Sequence, residues 1–228
     1  MLRRLLAASA VALLLTPAAH AESMSDSSSL LDAPLSFWIY LDRTTSDWDI
    51  GDATVNSEID RIGFAFAQQY EPWLKAGLFG GFSGLTQTDN PPTEGISQSG
   101  GHFGMLLQML PYRGERFKID TGLNLSYNYV DNTSQDQEVE TSWGEGLVYA
   151  KGILTLSPVI LSLGGNYQYI NGTEKLSGSP LNQNNDIKAD ENVSGLAGID
   201  LMVGGGTIGL HGEWGARESF AITFARNF

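Results

Sequence analysis

From Phe117 to Val130 the chain alternates with a period of two. Phe117, Ile119, Thr121, Leu123, Leu125, Tyr127 and Tyr129 share one face, while Lys118, Asp120, Gly122, Asn124, Ser126 and Asn128 share the other. Successive side chains of an extended segment point to opposite sides, so the pattern predicts a strand with one oily and one wet face. Val159 to Asn171 repeats it, with Val159, Leu161, Leu163, Tyr167 and Tyr169 set against Ser162, Gly164, Asn166 and Gln168. The same reading places strands over residues 35–44, 58–70, 73–87, 101–111, 143–156, 193–203, 207–214 and 219–228. That makes ten in all, and the pattern is compatible with eight to twelve. Their length suits a tilted membrane strand, which needs about 9–11 residues.

The connections alternate too. Polar stretches at 45–57, 88–100, 131–142 and 172–192 are expected to be long loops. Glu71-Pro72, Tyr112 to Arg116, Ser157-Pro158 and Gly204 to Gly206 are expected to be short turns, and Gly215 to Glu218 a short final loop. Hydrocarbon offers backbone amides no partner except a neighbouring strand, so two-faced strands in a membrane must close on themselves. The fold class is therefore all-β: a single closed antiparallel transmembrane β-barrel over residues 35–228. An even strand count and one-sided long loops place both termini in the periplasm of a bacterial cell.

The first residues add an address. Arg3 and Arg4 precede an apolar run from Leu5 to Leu15, and Ala19-His20-Ala21 has the form of a cleavage site. This is the layout of a secretory signal peptide over 1–21, cut after Ala21, with Ala19 as the second small residue of the site. A flexible Ser-rich periplasmic segment follows over 22–34. The apolar run is too short for a membrane helix, which needs about 20 residues. The net charge of −13 disfavours nucleic acid, whose phosphates demand Lys and Arg. There is no cysteine, so an exported chain of this kind gets no help from disulfides.

The chain ends on a patterned strand. Phe220, Ile222, Phe224 and Phe228 share a face, with Arg226 breaking the apolar series. This end resembles the C-terminal signal of outer-membrane barrel proteins, and the architecture resembles the small barrels of the OmpA, OmpX and OmpW types. The resemblance implies reading by the barrel-assembly machinery, residence in the Gram-negative outer membrane, and contact with its lipids and lipopolysaccharide. Aromatics fall where strands would cross the two interfaces: Phe82, Phe103, Tyr127, Tyr129, Tyr167, Tyr169 and Trp214 at one, Tyr70, Trp73, Tyr112, Phe117 and Phe228 at the other.

Extending the phase of every strand puts Asp42, Arg61, Lys75, His102, Lys118, Asp120, Glu145, Lys151, Asp200, His211 and Glu213 inside the barrel. Unpaired charges there would cost several kcal/mol each, so pairing is expected. Trp38, Tyr40, Phe79, Leu106 and Tyr149 favour a filled interior, whereas Gly63, Gly77, Gly81, Gly104 and Gly164 favour a gap. A closed salt-bridge network and a narrow polar path both fit. Asp47-Trp48-Asp49-Ile50-Gly51-Asp52 has the carboxylate density of a calcium loop but the wrong glycine position, and no metal or cofactor is expected. His211 and Glu213 share a face near Ser194 and Ser219, yet no hydrolase motif accompanies them, so no catalytic residue is assigned. The expected role is structural or surface-interacting, through the outer loops, with an unidentified extracellular ligand. A narrow channel is the alternative, and a lipid A-modifying enzyme or protease comes third.

Overall fold

A computed structural model describes residues 35–90, 93, 96–134, 137–178 and 182–228. The signal peptide, its alanines Ala19 and Ala21, and the segment 22–34 lie outside the described residues. Among the described residues eleven strands follow one another: β1 (Leu35–Ile50), β2 (Ala53–Glu71), β3 (Leu74–Thr88), β4 (Ser97–Arg113), β5 (Phe117–Ser134), β6 (Gln137–Leu156), β7 (Val159–Gly178), β8 (Gln183–Ala189), β9 (Val193–Val203), β10 (Gly206–Gly215) and β11 (Arg217–Asn227). Each strand from β1 to β7 bonds to the next. β7 then bonds to β9, β9 to β10, β10 to β11, and β11 back to β1. Ten strands thus close a ring, and Trp38 of β1 stands opposite Ala65 on one side and Ala225 on the other.

β8 stands outside that ten-membered ring. It wedges between β7 and β1 at the end away from the chain termini, pairing Gln183–Lys188 with Asn171–Leu176 and Ile187–Ala189 with Trp48–Ile50. β10 ends at Gly215 and β11 starts at Arg217, below this level. Residues 190–192 carry the chain from β8, which bonds to β1, down to β9, which bonds to β10. The barrel therefore narrows from ten strands near the termini (the terminal rim) to eight, β1 to β8, at the far end.

This corrects the loop assignments. Most of 45–57, 131–142 and 172–192 is strand, as are Ser97 to Gly100; a two-residue turn at Gly51-Asp52 joins β1 to β2. Gly51 takes a φ of +62°, a conformation that favours glycine. The segments look like loops because their apolar residues stop facing out. In the belt, Leu41, Ile62, Phe64, Phe66, Leu78, Leu125, Leu161 and Leu163 are exposed. Beyond it, the outward positions of the same strands become Arg43, Thr45, Asp47 and Asp49, or Asn56, Glu58 and Asp60. The inward positions become Trp48 and Ile50, or Val55 and Ile59, all buried. The phase does not slip across this change in the β1–β2 pair; the polar and apolar faces exchange sides. Exposed apolar side chains cover the outer face of the belt, where Leu163 is 65% exposed and Phe82 75%, and polar ones cover the outer face of the extension.

Candidate functional site: the lumen and its closure

Three levels fill the barrel. Nearest the terminal rim, Lys75 on β3, Gln108 on β4, Asp120 on β5 and Lys151 on β6 form a row across four neighbouring strands. Gln108 Nε2 donates to Asp120 Oδ2 at 2.9 Å, and Lys151 Nζ lies 3.4 Å from the same oxygen. Lys75 Nζ donates to Ser36 Oγ at 3.1 Å. Lys118 is buried two residues below Asp120. On the opposite wall His211 Nε2 sits 3.2 Å from Asp200 Oδ1 and 3.1 Å from Thr223 Oγ1.

The middle level is aromatic and aliphatic: Trp38, Phe79, Leu106, Leu147 and Tyr149 line a cavity of about 480 Å³. Tyr149 lies flat over Gly122, where any side chain would collide with its ring. Glycines here make room for large neighbours across the sheet, so a wet face rich in glycine does not mean an open tube.

The upper level is an ion-pair layer centred on Arg217. Its Nη1 donates to Glu145 Oε1 at 2.6 Å, Nη2 donates to Thr44 Oγ1 at 3.4 Å, and Asp42 Oδ2 lies 3.9 Å away. Nε lies 2.8 Å from Glu213 Oε2, at too oblique an angle for a hydrogen bond. Arg61 Nη2 donates to the other Glu145 oxygen at 2.7 Å and to Asn128 Oδ1 at 3.2 Å. Glu145 on β6 is thus gripped by two guanidiniums from β2 and β11. Nearby, His102 is held between Ser83 Oγ at 2.8 Å and Tyr40 Oη at 2.5 Å.

Above this layer the eight-stranded ring holds an apolar core. Trp48 and Trp143, 0% and 1% exposed, meet edge-on at 5.1 Å between centroids. Ile50, Val55, Ile59, Leu85, Val130, Ile170 and Ile187 complete a core drawn from β1, β2, β3, β5, β6, β7 and β8. Eight strands enclose just enough space for side chains to fill. Beside this core Asn90 and Thr93 are buried, Asn90 Nδ2 donating to Glu174 Oε1 at 3.3 Å and Thr93 Oγ1 to Gln87 Oε1 at 2.7 Å.

All eleven lumen residues read from the sequence face the interior, ten of them lining the cavity and Lys118 buried beneath it. The sequence reading misses Arg217, the hub. It also leaves out the apolar core: Trp48, Ile50, Val55 and Ile187 lie in segments taken for loops, and Ile59, Leu85, Val130, Trp143 and Ile170 stand near the ends of predicted strands. Its set of four bases and five acids was one base short, and a lone arginine in a four-residue connection is the signal that could have supplied it. The pairing of His211 with Glu213, Ser194 or Ser219 does not form: His211 goes to Asp200 and Thr223, and Ser194 Oγ accepts from the Arg217 backbone amide. The calcium-like run does not converge, since Asp47 accepts from Asn56 at 2.8 Å and Asp49 from Thr54 at 3.0 Å across the hairpin. At the C-terminus, Phe220 and Phe228 are exposed, while Ile222 and Phe224 are half-buried on the same outward face.

No protein-family model and no curated protein matches the chain. Among solved structures it matches the outer-membrane protease OmpT of Escherichia coli, with a TM-score of 0.50, 10% identity, and coverage of 91% of this chain and 99% of that one. The translocator domain of the autotransporter NalP from Neisseria meningitidis gives 0.48 and 14%, over 99% and 94%. The outer membrane protein OprG from Pseudomonas aeruginosa gives 0.46 and 13%, over 86% and 97%. The fold is that of an outer-membrane β-barrel with transmembrane strands.

Proposed function

We propose that this protein is an integral bacterial outer-membrane barrel whose work is done by its far end, a rigid water-facing head carried above the lipid. Both termini then lie in the periplasm, as ten membrane-level strands and the short turns at the terminal rim suit. The sealed Trp48–Trp143 core is the observation that supports this most. A conduit needs a wetted axis, and nine buried apolar side chains occupy it. The head's outer wall carries Asp47, Asp49, Glu58, Asp60 and Glu140 among serines and threonines, so lipopolysaccharide phosphates would approach it only through bridging divalent ions. No catalysis is assigned, because both lumen histidines are taken up in the partnerships described. Outer-membrane fractionation with heat-modifiable gel mobility tests the barrel. An epitope placed after Asp52 should be labelled on intact cells and one at Gly204-Gly205 should not; the reverse result would overturn the orientation.

The cavity below the core favours a second reading, a narrow channel opened when the Arg217 pairs rearrange. Purified protein in planar bilayers should be silent on the first reading and should conduct on the second.

A further inference from the structure

The cavity beneath the ion-pair layer has no part in the role proposed for the head. It reaches the terminal rim at Ser36, Thr207, Ala225 and Asn227 and stops at the Arg217 layer. The ionisable groups around it are answered from within the wall. Lys75 donates to Ser36, Lys151 meets Asp120, His211 meets Asp200, and Arg61 and Arg217 share Glu145. A charged ligand would have to break one of these pairs to gain its own, after losing its hydration against the aromatic middle. The middle level offers something else. There Asn124 of β5 stands between Leu106 of β4 and Leu147 of β6, lining the cavity. Its side-chain amide makes no hydrogen bond with any of the described residues, and the residue is half-buried. An amide carries both donors and an acceptor, so this one is a neutral polar handle set in an apolar wall. On the far side of the ring β11 contributes Ala221 and Ala225, whose small side chains leave room. A volume of about 480 Å³ falls in the range of small-molecule sites, which are mostly apolar with a few placed polar groups.

We propose that this chamber binds a neutral, largely apolar small molecule carrying one hydroxyl, with the hydroxyl on the Asn124 amide and the body against Phe79, Leu106, Leu147 and Tyr149. A hydroxyl both donates and accepts, as the amide does, so the pair can be satisfied in either sense. The body replaces water next to aromatic and aliphatic surface, which favours binding without any charge. A carboxylate or ammonium of the same shape would find its counter-ions already engaged. A bare hydrocarbon would strip the amide of water and give nothing in exchange.

The probe is beta-naphthol, a phenol uncharged at neutral pH, measured by equilibrium dialysis against the full barrel in nanodiscs, with empty nanodiscs as the blank for partition into lipid. Wild type should bind one beta-naphthol per barrel, saturably, and more tightly than beta-naphthoate. Asn124→Leu, close to the native side chain in size, should weaken beta-naphthol about tenfold without weakening naphthalene. Ala221→Trp, which fills the chamber from β11, should abolish the binding of both. Heat-modifiable mobility confirms that each variant folds, and Asn124→Leu with its two probes decides the matter if the tryptophan variant does not fold. Three results would each overturn the site: retention of beta-naphthol no greater than that of empty discs, its equal binding by wild type and Asn124→Leu, or equally tight binding of beta-naphthoate. None of them would bear on the role of the head.

Discussion

At the scale of single residues, the energetics concentrate on Arg217 and Glu145. Both are almost fully enclosed, and removing one partner of a buried pair leaves the other charge stranded, at a cost of about 3–5 kcal/mol. Arg217→Ala should lower the unfolding free energy by about that much in urea titrations of the barrel in micelles. Arg43→Ala should do far less. Its bonds to Asp60, at 2.7 and 2.8 Å, lie on the exposed wall, where such pairs contribute about 0–1 kcal/mol. The inward charges were legible because strand phase alone decides which face a residue takes, and β5 to β7 keep that phase for eighteen to twenty residues. Arg217 was not legible, because it begins its strand and no alternation precedes it.

At the scale of strands, the far-end extensions behave as a soluble β-barrel built on top of a membrane one. Trp143→Ala should therefore cost about 3–5 kcal/mol, the loss usual for a large core side chain. The damage should appear as faster hydrogen exchange in the upper halves of β1, β6 and β8, with the belt amides unchanged. Glu174, above the far aromatic girdle on β7, gives the head a pH dependence. Burial raises its pKa, outweighing the hydrogen bonds from Asn90, Gln87 and Asn185 that lower it. A carboxyl whose folded pKa lies above its unfolded value contributes stability that is present at low pH and fades as pH rises through the folded value. Exchange at Thr93 and Ile96 should therefore speed up from acidic to neutral pH, and Glu174→Gln should flatten that rise. A Glu174→Gln variant with the same pH profile as wild type would contradict the assignment. The extensions were misread as loops for a physical reason. A period-two pattern was sought with its oily face outward throughout, whereas above the lipid the same alternation continues with its oily face inward. Gly51-Asp52 and the polar outward residues look like loop only while that exchange goes unnoticed.

At the scale of the whole molecule, a ring of ten strands with an apolar outer face carries a ring of eight with a polar outer face and an apolar core. The ten membrane-level strands, their order and their closure all follow from periodicity. β8 does not, because its seven residues, QNNDIKA, carry one buried apolar side chain, Ile187, and sit in a polar stretch. Its partners are decided by where β10 and β11 stop, which no local pattern reveals. The absence of cysteine makes the most direct test clean. Single cysteines at successive positions from Thr54 to Phe66 on β2 would be spin-labelled in bilayers and probed with oxygen, which favours lipid, and a nickel chelate, which favours water. Labels at Ile62, Phe64 and Phe66 should answer to oxygen, those at Thr54, Asn56 and Glu58 to nickel, and those at Val55, Ser57 and Ile59 to neither. Nickel access at Val55 and Ile59, or oxygen access running unbroken through Asn56, would contradict a sealed head standing above the membrane.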